Sequence, residues 1–86
     1  MSSKPIILSS HAREQLRYRG TSEEEINDAI RSSPWAQAEL GRLECRKDFV
    51  YNRVWNGKCY GTKQVKPVFV EEDNEIVVVT VYVYYF

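Results

Sequence analysis

The chain is poor in groups that bind metals or titrate near neutrality: one histidine, His11, and two cysteines, Cys45 and Cys59. Such a set is a poor basis for a metal site, so neither a metal nor a cofactor is expected, and the thiols are expected to be reduced. No apolar run approaches the roughly 20 residues that a spanning helix needs, so no membrane contact is expected. Ile6-Ile7-Leu8 is too short for the apolar region of a secretory signal, which makes the cytoplasm the expected location. Net charge is also lacking, with 12 basic groups against 12 acidic ones. That balance counts against a strongly basic, ribosome-directed protein, because counterion release rewards many cation contacts. At 86 residues the chain is expected to form one domain, 1–86, with a thin core.

What is present is concentrated at the end. From Ile76 to Phe86 nearly every residue is β-branched or aromatic, with no charge, glycine or proline, the composition that fits a pleated surface. A run without polar alternation is expected to be buried on both faces, as a central strand.

Taken in order, Pro5 to Leu8 reads as a short strand and Ser9-Ser10 as a helix cap. A first helix is expected from His11 to Arg19, burying Ala12 and Leu16 and ending at Gly20. Thr21 with Glu24 reads as a capping box for a second helix over 22–31, which buries Ile26, Ala29 and Ile30 before Pro34 stops it. Leu43 to Trp55 reads as strand, and Asn56-Gly57 as a two-residue hairpin turn. Gly61 to Gln64 looks irregular, and Pro67 places the strand over 65–71 near an edge or at a strand start. Glu72-Asp73-Asn74 turns the chain into the last strand, and residues 35–48 are open between strand and loop. The fold class is α+β, in the order β-α-α-β-β-β, with two N-terminal helices on one face of a mostly antiparallel sheet and the first and last strands as neighbours.

Three stretches carry a resemblance: Ile7-Leu8-Ser9-Ser10-His11-Ala12, then Arg19 to Ile26, then Val77-Val78-Val79-Thr80-Val81-Tyr82. They resemble a small bacterial domain-of-unknown-function family whose members open with a histidine-alanine and arginine-glycine helix pair and close in a valine-threonine-valine-tyrosine strand. That family is similar to the RelE/ParE-like toxins of toxin–antitoxin systems. This chain has Gln15 where members often carry a basic residue, and Thr21 where isoleucine is usual. The resemblance implies a toxin-like domain, a metal-free endoribonuclease acting on messenger RNA or the ribosome, held inactive by a partner antitoxin.

A metal-free ribonuclease needs a base, cations for the phosphorane and an acid. His11 alone titrates near neutrality without help, so it is the candidate for proton transfer, with Arg19 on phosphate and Tyr82 as proton donor or stacking ring. Equally, His11 has an ordinary place in a first helical turn, and Arg19 one beside helix-end carbonyls. Residues 42–66 hold seven basic groups against two acidic ones, interleaved with aromatics. Arg46, Lys47, Arg53, Trp55 and Lys58, with Tyr84 of the last strand, are the RNA-binding candidates. Alternation puts Tyr51, Arg53 and Trp55 on one face. The same block is also what a solvated sheet face over buried aromatics looks like. Cys45 and Cys59 are weak nucleophile candidates, lacking a second histidine. The alternative function is a non-catalytic module that binds a partner protein by strand addition.

Overall fold

A computed structural model describes residues 4–86. Strand β1 (Ile6–Leu8) leads into helix α1 (Ser10–Arg19) and helix α2 (Glu23–Ser32). The Ser9 hydroxyl accepts the Ala12 N–H to open α1, and Gly20 closes it at φ 76°, donating its N–H to the Leu16 carbonyl. The cap of α2 is Ser22 rather than Thr21: the Ser22 hydroxyl accepts the Glu25 N–H, while Thr21 Oγ1 donates to the Glu25 carboxylate. Both residues suit a cap, and the register of the tight turn after Gly20 selects the second.

Five more strands complete the sheet: β2 (Ala36–Gln37), β3 (Leu43–Glu44), β4 (Lys47–Trp55), β5 (Lys58–Glu71) and β6 (Ile76–Tyr85). The spatial order is β1-β6-β5-β3-β2, with β4 also pairing β5, and every pairing is antiparallel except β1 with β6. The α+β layout and the β1–β6 neighbourhood are as expected, with α1 packed on β6 and α2 on β5. The open segment 35–48 supplies a small hairpin, whose tip places Leu40 and Gly41 at φ 61° and 71°. Asn56 and Gly57, at φ 52° and 83°, form the turn the sequence specifies.

Three expectations are corrected. The last stretch is not buried on both faces. A bulge at Val79 shifts the phase, since Phe69 pairs Val78 and Val68 pairs Thr80. Ile76, Val78 and Val81 are buried toward the helices, while Tyr82 and Tyr84 are exposed on the other face. The run is also flanked by β1 only over Ile76–Val78, so the strand paired along its whole length is β5. Pro67 lies in the middle of β5, at neither an edge nor a start. It is tolerated there because it lies opposite Cys45 and Arg46, where β3 ends and β4 has not begun, so no ladder bond needs its missing N–H. Finally, Gly61 to Gln64 is regular strand, and the irregularity sits across from it in β4, where the register shifts between Val50 and Arg53 and Asn52 takes φ 50°. Across that bulge Tyr51 and Trp55 still meet on one ring, that of Tyr85, at 5.1 and 4.8 Å, with Arg53 beside Tyr51.

The core lies between helices and sheet: Leu8, Ala12, Ile26, Ala29, Ile30, Val65, Phe69, Ile76, Val78 and Val81, with Cys45 among them. Leu16, expected beside Ala12, packs against it while half-buried. Each such aliphatic or aromatic side chain contributes about 1.5–3 kcal/mol relative to exposure. With the helices on one face, the other face of the sheet is left to water and to whatever the protein binds.

Candidate nucleic-acid interface

Residues directly opposite in an antiparallel pair share a face. Thr80 lies opposite Val68, Tyr82 opposite Lys66 and Tyr84 opposite Gln64. Alternation puts all of these on the helix-free face. The β2–β3 hairpin borders them, and together they enclose a groove of about 290 Å³ whose polar lining includes Glu39, Arg42, Glu44, Lys66, Thr80, Tyr82 and Tyr84.

Two cations meet the Tyr82 ring: the Arg19 guanidinium at 5.3 Å from its centroid and Lys66 Nζ at 5.8 Å. Arg19 closes α1, next to the glycine cap, and reaches Tyr82 around the outer edge of β6. Glu44 Oε2 lies 3.6 Å from Lys66 Nζ and 3.7 Å from the Arg46 guanidinium, so it anchors Lys66 in the groove and ties Arg46 beside it. Arg42 forms no ion pair among the described residues. The groove therefore joins flat rings and a hydroxyl to two cations, Arg42 and Lys66, and two carboxylates, Glu39 and Glu44.

The candidates named from the sequence separate into four places. Tyr82 and Tyr84 line the groove, Arg19 meets the Tyr82 ring, and Arg46 stands beside the groove, tied to Glu44. Lys47 faces the helices, where its Nζ lies 2.8 Å from Asp28 Oδ2 and 3.2 Å from the Ser32 hydroxyl. The Lys47 ammonium holds the Asp28 carboxyl below its ordinary value. Arg53, Trp55 and Lys58 belong to the β4–β5 hairpin tip. There Arg53 lies 5.9 Å from the Tyr51 centroid and Lys58 Nζ 5.6 Å from that of Tyr60. Trp55 stacks on Tyr85 at 4.8 Å and 18°, which ties the hairpin to the helix junction.

His11 stands in the first turn of α1, exposed, and separated from Arg19 by eight residues, about 12 Å of helix rise. Among the described residues it has no hydrogen-bond partner. Gln15, between them, uses its carbonyl oxygen to accept from the Thr80 hydroxyl at 2.8 Å and the Val81 N–H at 2.9 Å. It thereby occupies the edge of β6 just past the end of β1. Cys45 is buried, and burial first, then the Glu44 carboxylate, pushes its thiol up to about 11, which removes it as a nucleophile near neutrality.

Sequence reasoning gave Arg42, Glu44 and Thr80 no functional role, and took Lys66 only as one cation of the basic, aromatic-rich block. Lys66 is legible only from its register opposite Tyr82. Arg42 and Glu44 lie in the segment whose form was open. Among the described residues no group of side chains suits a metal ion, and no helix is long and apolar enough to cross a membrane.

Comparison with known proteins gives one finding: residues 8–83 match a family described as Domain of unknown function (DUF4258). No curated protein and no solved structure matches the chain.

Proposed function

The chain belongs to the DUF4258 family, and from that premise we propose that it is a toxin-like protein of the RelE/ParE type that binds RNA in the groove on its helix-free sheet face. The observation that carries this reading is the Tyr82 ring held between Arg19 and Lys66, with Tyr84 two residues on. An exposed cation–ring contact is worth about 0.5–1 kcal/mol, less than the roughly 1–3 kcal/mol of a base stacked on an aromatic ring. A base therefore displaces one cation from the ring and leaves it free to meet a phosphate. Arg42, which forms no ion pair among the described residues, adds a second cation to the groove, with Glu39 also on its lining.

The reading includes strand cleavage without a metal. Glu44 offers a carboxylate to take the 2′-hydroxyl proton, Arg19 and Lys66 offset the charge on the phosphorane, and the Tyr82 hydroxyl donates to the leaving oxygen. His11, a helix length away from Arg19, is left outside this group. A partner antitoxin that covers the groove completes the proposal.

Growth after induced expression, with RNA incubated with the purified protein, tests it. Wild type and His11→Ala should arrest growth and shorten RNA, whereas Tyr82→Phe and Lys66→Ala should not. Intact RNA with wild-type protein ends the nuclease reading, and an activity that follows His11 moves it away from the groove.

A second reading, a non-catalytic module that accepts a strand from a partner, rests on β4. That strand pairs only with β5 and exposes Val50 and Val54. The Asn52 bulge and the charges of Asp48 and Arg53 oppose such pairing, so we favour the groove.

A further inference from the structure

The helix-free face of β6 carries more than the groove. Tyr82, Tyr84 and Phe86 occupy alternate positions, and all three are exposed, at 38%, 46% and 59%. Phe86 continues the ladder beyond the end of β6, exchanging both backbone hydrogen bonds with Thr62 at 2.8 and 3.0 Å. The residues across from the rings on β5 are Lys66, Gln64 and Thr62. All three are hydrogen-bonding side chains, and of them only Lys66 lies over a ring, that of Tyr82. Among the described residues neither Tyr84 nor Phe86 packs on another ring or a cation, so their faces are open.

We propose that Tyr82, Tyr84 and Phe86 form a ladder that takes three successive bases of an unpaired RNA strand, one base per ring. The proposal rests on the RNA-binding reading above and adds the form of the substrate. Ring-bearing positions two apart on a strand are about 6.6 Å apart along it. That is about twice the 3.4 Å between neighbouring bases of a stacked helical strand. A base on every ring therefore requires bases pulled apart from one another, which a duplex does not allow and single-stranded RNA does.

Charge sets where the strand's backbone runs. On the β4 side of the row the Asp48 carboxylate accepts from Gln64 Nε2 at 2.9 Å, placing a negative group there. On the outer edge of β6 stands Arg19, over Tyr82. Phosphates therefore pass at the Tyr82 end of the row, where Arg19 and Lys66 flank the ring, and keep clear of Asp48, while the bases lie over the rings.

The test is fluorescence anisotropy with a labelled six-nucleotide uridine strand and with a duplex of the same length. Wild type should bind the single strand at least about tenfold more tightly than the duplex, and Phe86→Ala and Tyr84→Ala should each weaken it about tenfold. Phe86→Trp should retain binding and Phe86→Leu lose it, because Trp keeps a flat face whereas Leu keeps only apolarity. If Phe86→Ala and Tyr84→Ala bind as wild type does while Lys66→Ala binds less well, the ladder is wrong and the groove reading stands. Duplex bound as tightly as single strand also overturns the ladder. A wild type that binds neither probe overturns both. Tryptophan fluorescence melting checks folding, and if Tyr84→Ala unfolds, the Phe86→Leu and Phe86→Trp pair decides.

Discussion

Lys63 Nζ lies 2.8 Å from Glu25 Oε1 beneath the turn that joins the two helices, and it also donates to the Gly20 carbonyl at 2.9 Å. Lys63 is the one charged residue of the described chain that is buried, at 8% exposure. Its strand, β5, is thereby fixed to the end of α1 and the start of α2 at once. The Tyr85 hydroxyl adds a bond to the Arg19 carbonyl at 2.7 Å, so the junction that aims Arg19 at Tyr82 is held from below.

Lys63→Ala should therefore destabilise the fold by about 2 kcal/mol. This lies below the about 3–5 kcal/mol of a fully buried pair, because Glu25 keeps some water contact and the Thr21 hydroxyl. The urea midpoint should fall with the slope unchanged. Adding Glu25→Gln to this variant should cost little more, since the carboxylate has already lost its partner.

Gly20→Ala should cost more, about 2–4 kcal/mol, from a left-handed backbone and an added methyl in a filled space. At φ 76° a Cβ would meet the Tyr85 hydroxyl and approach the Trp55 ring to 2.7 Å. Equilibrium unfolding should show the loss, and a changed Trp fluorescence of the folded state should report the displaced Trp55–Tyr85 stack.

Stability should fall as pH rises from about 9 to 12. Burial raises the Cys45 thiol from its ordinary 9.0 to about 11, and it raises the Tyr85 hydroxyl from 10.0 to about 12, with Tyr51 and Glu25 adding to it. Both groups hold their protons in the folded state after the unfolded chain has lost them. Their contribution is thus complete below the unfolded values and is lost as pH climbs toward the folded ones. Cys45→Ala should flatten the lower part of the decline and Tyr85→Phe the upper part. At pH 8, iodoacetamide should modify exposed Cys59 while leaving Cys45 unmodified until the protein unfolds.

Lys66→Ala and Arg42→Ala should each weaken RNA binding and reduce the salt slope by about 0.7, one phosphate's share for a single strand. Lys47→Ala should leave the slope unchanged and lower stability, because its ammonium is engaged with Asp28 on the helix side. Anisotropy across a salt series, alongside urea melts, separates the two kinds of lysine.

These lysines illustrate what was legible in advance. Lys47 and Lys66 look alike in a basic, aromatic-rich block, and only the pairing of β4 and β5 places Lys47 with the helices and Lys66 at the groove. The phase of β6 was hidden in the same way. An all-apolar run has no polar alternation to mark its faces, and the Val79 bulge exchanges them midway.

The helices, the Ser9 and Gly20 caps of the first, the Asn56-Gly57 turn and the α+β order were readable from the chain because each depends on neighbours a few residues apart. Pro67 in mid-sheet, the Lys63–Glu25 pair and the meeting of Arg19 with Tyr82 were not, because each joins residues brought together only by strand register and by helix packing across the sheet. Local sequence thus determined the elements, and long-range register determined which side chains share the open face.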